Sequence, residues 1–369
     1  MMRIGKFTDF YRDVTKAGTK IPQEKYLKVG HYPVIDQGRQ AIVGRWDSDD
    51  GICKEIPAII FGDHTRAIKY IEEPFFIGAD GVKILRPVNV QDNPKYLYYA
   101  LQAARIPNLG YSRHFKALKE LDFHVCSIEK QDEIVRILEK IDYLIEQCHE
   151  EDSCLNQIVK SRFIELFGDP KDNPKGYSKK QLKETCRVIT GNTPSRAVSE
   201  YYGDHIEWIK TDNIVSGLLN PTTATESLSE KGMAVSRTVE SGAILMACIA
   251  GSIASIGRVC VTDRKVAFNQ QINAIVPSDY NILFLYVMLQ ISKEYLVDEI
   301  NMALKGILSK SKLEEKTFYV PPMELQEQFA AFVTQVDKSK YYSQKFLTLC
   351  RSAANIYEQE WMKCQTLNF

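Results

Sequence analysis

The sequence predicts an α+β chain in which two globular domains, each a mixed sheet with helices, alternate with two long helices. Three observations carry this. Residues 129–167 and 324–363 contain neither Gly nor Pro and repeat apolar residues at alternating steps of four and three, the seam of a coiled coil. The residues leading into each stretch align with one another without a gap. The rest of the chain is broken into short β-rich segments by Gly, Asp and Asn. It therefore reads as a domain and a helix occurring twice: domains at 1–127 and 169–322, helices at 128–168 and 323–369.

The elements follow in order. Residues 1–25 are polar and poorly periodic and are expected to form a short helix and loop. Strands are expected at 32–38 (YPVIDQG), 40–46 (QAIVGRW), 56–62 (IPAIIFG), 67–73 (AIKYIEE) and 81–87 (GVKILRP), then a helix at 94–104 and a basic, aromatic loop at 108–116. The first long helix carries a seam of Ile134, Leu138, Ile141, Ile145, Cys148, Leu155, Val159 and Leu166. Ser127 can cap its start, Glu129, Asp132 and Glu133 suit its positive end, and Gly168 suits a left-handed closing residue. At about 1.5 Å per residue it is ~58 Å long.

In the second domain residues 176–187 form a helix or a strand, Gly191, Asn192 and Pro194 form a rigid turn, and a strand at 206–210 ends in Thr211, Asp212 and Asn213. Residues 242–261 alternate apolar strand with Gly/Ser turns. A strand from Ala267 and a helix at 283–290 precede the Gly/Ser/Lys loop 303–312, which lacks the phosphate-loop arrangement of a nucleotide site. The second long helix has its stripe at Phe329, Val333, Val336, Leu347, Cys350, Ala354, Tyr357 and Trp361, interrupted by Lys340 and Ser343. The helix-pair seam, which also offers a surface to partners, is thus expected at Ile134, Leu138, Ile141 and Ile145 against Phe329, Val333, Val336 and Leu347.

The repeat is explicit ahead of each helix. LKELDFHVCSIEKQDEIVRILEKID from Leu118 aligns with LEEKTFYVPPMELQEQFAAFVTQVD from Leu313. Leu118/Leu313, Glu120/Glu315, Phe123/Phe318, Val125/Val320, Glu129/Glu324, Gln131/Gln326 and Asp142/Asp337 are identical. Cys126-Ser127 stands where the second copy has Pro321-Pro322.

Composition narrows the function. The chain has 369 residues, 44% of them apolar, enough for two cores of ordinary size. No apolar run approaches the ~18 residues of a membrane span, and MMRIGKFTDFYRD lacks the apolar core of a signal peptide, so a cytoplasmic location is expected. Nine cysteines without a CxxC pair or a Cys/His cluster point to reduced, mostly buried thiols and to no metal site.

Net charge is zero but unevenly spread. Residues 1–127 hold 19 basic and 15 acidic side chains, 128–168 hold 5 and 10, 169–322 hold 18 and 17, and the tail 5 and 5. Phosphates would be repelled by the acidic helix, so any DNA contact belongs to the domains.

In the first domain the turns carry base- and phosphate-seeking groups: Gln37, Arg39 and Gln40; Asp63, His64, Thr65 and Arg66; Arg113, His114 and Lys116. No GxGxxG, HExxH, GxSxG or nucleotide-binding lysine loop is present. The reading from residues alone leaves three classes: a DNA reader, a coiled-coil interaction scaffold without DNA specificity, and a stand-alone hydrolase or nuclease.

At these residues the chain resembles the specificity subunit of type I restriction-modification enzymes, essentially from end to end. YPVIDQG, FGDHTRAIKYI and FFIGADGVKIL look like one version of that family's target recognition domain. GNTPS, YYGDHIEWIKTDNI and VAFNQQINAIVP look like another, and PPMELQEQ is similar to the family's lead-in to its conserved helix.

The resemblance implies two target recognition domains held apart by two spacer helices packed antiparallel, with pseudo-twofold symmetry, each domain reading one half of a bipartite DNA target. Because the domain versions differ, the target is expected to be asymmetric. The resemblance also implies a non-catalytic chain without cofactors. Two modification subunits would use S-adenosylmethionine to methylate a flipped adenine, and restriction subunits would use ATP and Mg. DNA-binding residues are expected at Gln37, Arg39, His64, Arg66, Arg113 and His114, and at Lys210, Thr211, Asn213, Ser252, Arg258, Asn269, Gln270, Lys305 and Lys310.

Overall fold

The computed structural model describes residues 2–110, 112–298, 300 and 306–366, with the side chains of the last helix described as far as Asn355. The chain falls into two compact units, residues 1–145 with 348–369 and residues 146–347, so each long helix contributes to both.

The first unit begins with β1 (Arg3–Lys6), α1 (Phe7–Phe10) and β2 (Tyr11–Asp13), which corrects the expectation of a helix and loop over 1–25. Each piece is too short to show a period, yet Phe7, Phe10 and Tyr11 are buried, and Phe7 stacks on Tyr11 with ring centroids 4.7 Å apart. Then come β3 (Tyr32–Ile35), β4 (Gly44–Trp46), β5 (Ala58–Gly62), β6 (Ile68–Ile71), β7 (Phe76–Ile77), β8 (Val82–Pro87), α2 (Pro94–Ala103), α3 (Phe115–Lys119) and β9 (Asp122–Val125). The strand expected from residue 40 starts only at Gly44, because the turn after β3 takes up the residues between them. The strand order is β2-β8-β5-β6 in one sheet and β4-β3-β7 in another, with β3 parallel to β7, while β1 pairs antiparallel with β9.

After α4 (Ile128–Phe167) the second unit carries β10 (Lys179–Gln181), α5 (Leu182–Thr185), β11 (Cys186–Thr190), β12 (Tyr202–Gly203), β13 (Ile206–Ile209), β14 (Ser227–Leu228), α6 (Glu230–Ala234) and β15 (Thr238–Val239). It continues with β16 (Ile244–Ala247), β17 (Ile249–Ala250), β18 (Val259–Val261), β19 (Val266–Phe268), β20 (Ile272–Pro277), α7 (Ile282–Ile291), α8 (Lys293–Val297), β21 (Gly306–Ile307), α9 (Lys310–Glu315), β22 (Thr317–Tyr319) and α10 (Met323–Thr366). Residues 176–187, open between helix and strand, hold both in succession. The sheet order β11-β20-β16-β18 reproduces β2-β8-β5-β6 place for place. The parallel pair β13/β19 answers β3/β7, and the antiparallel pair β10/β22 answers β1/β9. The repeat in the sequence is a repeat of topology.

The start of each long helix is anchored the same way. Gln131 is fully buried. It accepts the Asn93 N–H at 2.8 Å and donates to the Cys126 carbonyl at 2.9 Å. Gln326 is also fully buried, accepts the Asn281 N–H at 2.9 Å and donates to the Pro321 carbonyl at 2.8 Å. Asn93 and Asn281 are themselves the caps of α2 and α7, so one buried amide ties each long helix to the helix of its own domain. Cys126-Ser127 and Pro321-Pro322 therefore give the same geometry: the carbonyl is what the joint uses.

Within the second unit α10 packs antiparallel on α4, since Phe329 meets Phe163 at 5.4 Å and Phe167 at 5.6 Å, whereas Lys340 reaches back to Asn156 at 2.5 Å. The buried residues at the end of α4 are Val159, Phe163 and Phe167, while the expected Leu166 lies only half buried. The seam there shifts to steps of four because Phe284 of α7 inserts its ring against both phenylalanines, 5.4 and 4.8 Å away. On α10 the supposed interruptions lie in the seam. The order Phe329, Val333, Val336, Lys340, Ser343, Leu347, Cys350 keeps the alternating spacing, and Ser343 is buried. Of the remaining expected seam residues, Ile134 and Leu138 are buried and Ile141 and Ile145 are half-buried, whereas the side chains of Tyr357 and Trp361 lie outside the described residues.

Candidate nucleic-acid interface

In the first unit the loops after β3, β5 and β7 meet the loop before α3. Asp36 sets the first turn: its carboxylate accepts the Gly38 N–H at 2.8 Å and the Lys69 ammonium at 3.2 Å, and its carbonyl takes a second bond from Lys69 at 2.9 Å. Lys69 is only 9% exposed, and burial pushes its pKa down against the opposing pull of Asp36. On this turn the Gln37 carbonyl accepts the Thr65 hydroxyl, and the Gln37 side-chain oxygen accepts the His64 N–H at 3.3 Å.

A second lock holds Ile106 and the residues 112–114 ahead of α3. Asp63 is buried, its carboxylate accepting the Phe115 N–H at 2.7 Å and its carbonyl the His114 N–H at 2.8 Å. Arg66, in the left-handed region at φ 60°, donates to the Ile106 carbonyl at 3.1 Å. Gln37, His64 and Arg113 are thereby brought to one cleft of about 610 Å³, together with Lys20, Gln23 and Asp80. Arg113 is 75% exposed, with its guanidinium 3.9 Å from Asp63.

Arg39 is exposed on the same turn but does not line the cleft. His114 is not brought to it either. It is 1% exposed and serves as a buried pin. Lys20, Gln23 and Asp80 were not singled out from sequence, because the parallel pairing of β3 with β7 brings 78–81 beside Gln37 and the parallel bridge of Lys20 to Ile77 brings 20–23 there.

The second unit gathers the corresponding loops. The Gly191 N–H bonds the Ile272 carbonyl at 3.0 Å and the Asn192 N–H bonds the Phe268 carbonyl at 3.1 Å, a close approach that a side chain at 191 would block. Lys210 and Arg196 share Glu226, Arg196 at 2.6 Å, and lie over Trp208 at 5.1 and 5.3 Å from its ring centroid. These two bonds, Lys210 first, hold the Glu226 carboxyl below its usual range. Arg258 donates to the carbonyls of Ser255 at 3.3 Å and Thr211 at 3.4 Å. Gln270 is exposed and accepts the Thr193 hydroxyl, and Ser252 is exposed in the turn after β17, bonded to Ser255 at 3.1 Å.

Asn213 and Asn269 are buried and shape loops. Asn213 accepts the Lys210 N–H at 3.0 Å and donates to Thr222 and Thr223, while Asn269 closes a turn with Gln271 at 3.1 Å. Lys310 is exposed in the first turn of α9, 3.5 Å from Glu314, and Lys305 lies outside the described residues. Arg196 escaped the sequence reading. Its signal was the aromatic pair Tyr202 and Trp208, visible only once β12 and β13 are folded together.

Among the described residues there is no cluster of His, Cys, Asp and Glu fit to hold a metal, and no helix is long and apolar enough to cross a membrane. Burial pushes the Cys186, Cys248 and Cys260 thiols up to about 12, which keeps them protonated at neutral pH.

The sequence profile of the type I restriction modification DNA specificity domain matches residues 3–153 and again 174–345. The specificity subunit of the type I restriction enzyme HindI of Haemophilus influenzae is 32% identical over 120 residues, covering 32% of this chain and 25% of that one. That of the MjaIX enzyme of Methanocaldococcus jannaschii is 27% identical over 170 residues, covering 44% and 38%. The matched stretches thus span well under half the length of either relative. A crystal structure of the S subunit of a type I restriction-modification system from M. genitalium superposes with a TM-score of 0.62 at 15% identity, covering 97% of this chain and 95% of that one, a likeness of fold. With two copies of the domain spanning most of its length, the chain belongs to the family of type I restriction-modification specificity subunits.

Proposed function

We propose that each domain reads one half of a bipartite, asymmetric DNA sequence and that the helix pair sets the distance between the halves. The supporting observation is one topology built twice with unlike loop chemistry: Gln37, His64 and Arg113 line the cleft of the first domain, whereas Arg196, Lys210 and Gln270 occupy the loops of the second. Two different readers select two different half-sites. Forty helical residues extend about 60 Å, enough to hold readers on successive turns of B-DNA, ~34–36 Å each.

In this reading the chain is not a catalyst. Two modification subunits dock on the helices, where Tyr342, Phe346 and Leu349 recur at helical spacing with exposed side chains. They methylate adenine with S-adenosylmethionine, and restriction subunits add the ATP- and Mg-dependent steps in the cytoplasm. The test is selection from a randomised duplex library by the complex isolated from its host, followed by mapping of methylated adenines. Two unlike half-sites at one fixed separation are expected; binding that no sequence outcompetes would overturn the reading.

A further inference from the structure

Gln37 differs from the other polar groups of the first cleft in how firmly its side chain is set. Its backbone is fixed by the Asp36–Lys69 pair on one side and by the Thr65 hydroxyl on the other. Its amide rests where any side chain at Gly81 would collide with it, and its carbonyl sits where one at Gly62 would collide. The orientation of the amide follows from chemistry: the group facing it is the His64 N–H, a donor, so the oxygen must face His64 and the nitrogen must face away. Among the described residues, one lone pair of that oxygen and both hydrogens of the nitrogen remain for a ligand at the cleft.

We propose that Gln37 is a specificity-determining residue of the first half-site, reading one adenine. This rests on the DNA-reading function proposed above. An acceptor and a donor fixed side by side in one plane match the N6 amino group and N7 of adenine on the major-groove edge, the pairing that glutamine makes bidentately. Of the four bases, adenine is the one that carries a donor beside an acceptor on its own major-groove edge, at the spacing of a side-chain amide. Because the amide is already oriented, little side-chain freedom is lost on binding. His64, Lys20 and Arg113, on the same cleft, carry charge or donors and suit the flanking phosphates.

The experiment uses the full chain in its isolated complex, with duplex selection repeated for Gln37→Ala, Gln37→Glu and Gly81→Ala. Gln37→Ala is expected to lose discrimination at one base pair of one half-site, by roughly ten- to a hundredfold. Gln37→Glu keeps an oxygen for the His64 N–H, so the fold has no reason to change. It offers acceptors only, and is expected to move the preference at that pair from adenine towards cytosine. Gly81→Ala displaces the amide and should relax the same pair.

Unchanged selection by all three variants, with the native protein still choosing two half-sites, overturns the role of Gln37 and leaves the function standing. A uniform loss on every sequence, with the slope of log affinity against log salt falling by about one, makes Gln37 a backbone contact and also overturns it. Failure of the native complex to select any sequence overturns the function itself.

Discussion

His114 uses its two ring nitrogens in opposite roles. The Leu109 N–H points at Nε2 at 3.1 Å, so Nε2 is the acceptor and the proton sits on Nδ1, which donates to the Asp63 carbonyl at 2.9 Å. The ring is hydrogen-bonded on both sides and joins Leu109 to the turn after β5. Replacing it by Phe keeps the volume but takes the partner from the Leu109 N–H, while the Asp63 carbonyl keeps only the His114 N–H; a lost hydrogen bond of this kind contributes about 0.5–1.5 kcal/mol. His114→Phe is therefore expected to lower the melting temperature and to speed amide exchange at Leu109, without removing a side chain that faces the cleft. Arg113→Ala should do the reverse, leaving the melt unchanged while weakening binding evenly across sequences. Comparing the two separates a group that shapes the loop from one that the loop presents.

At the scale of elements the two copies differ at one informative place. α2 and α7 are both ten residues long behind an asparagine cap, and the paired Gln131 and Gln326 set them identically against α4 and α10. Tyr99 of α2 donates to Asp142 of α4 at 2.7 Å. In the second copy Asp337 takes the place of Asp142, but Val287 takes the place of Tyr99. Both line a cavity of about 730 Å³. Burial raises the Asp337 pKa from 3.8, with Lys340 pulling it back, while Lys340 itself is lowered by burial.

The sign for Asp337 follows. With a folded pKa above the unfolded one, its contribution to stability is complete below pH 3.8 and is lost as pH rises through the raised value. Asp337→Asn should thus raise the melting temperature at neutral pH, with the gain fading as pH falls towards 4; equal gains at all pH values would contradict this account. Val287→Tyr should fill part of the cavity and restore the missing hydroxyl. A gain of about 1–2 kcal/mol in denaturant unfolding is expected, and it should disappear when combined with Asp337→Ala.

At the scale of the whole molecule, the proposed function requires that two domains with separate cores act independently. Base changes in one half-site and in the other are expected to add in binding free energy to within about 0.5 kcal/mol. Titration of duplexes altered in one half, the other and both measures this. Strong coupling would mean that a single surface reads both halves. The charge distribution fits the proposed division of labour, since the excess of negative charge lies on the first long helix and the slight excess of positive charge on the domains.

The amino-acid sequence by itself determined the long helices, the repeat and their order. These rest on local rules, namely freedom from Gly and Pro, a steady apolar period, and the glycine at φ 81° that closes α4 at Gly168. It also singled out Gln37, His64 and Arg113, because turn residues with hydrogen-bonding side chains can be recognised wherever they lie. It did not separate these from His114, Asn213 and Asn269, which have the same chemistry and lie buried as loop supports. Nor did it disclose the strands at the N-terminus, the polar residues within the α10 seam, or the contribution of Arg196 and Lys20. Which side of a turn faces solvent, and which distant loop lies beside it, depends on non-local pairings such as β3 with β7 and β13 with β19. Those pairings leave no period in the chain, so only the tertiary structure decided them.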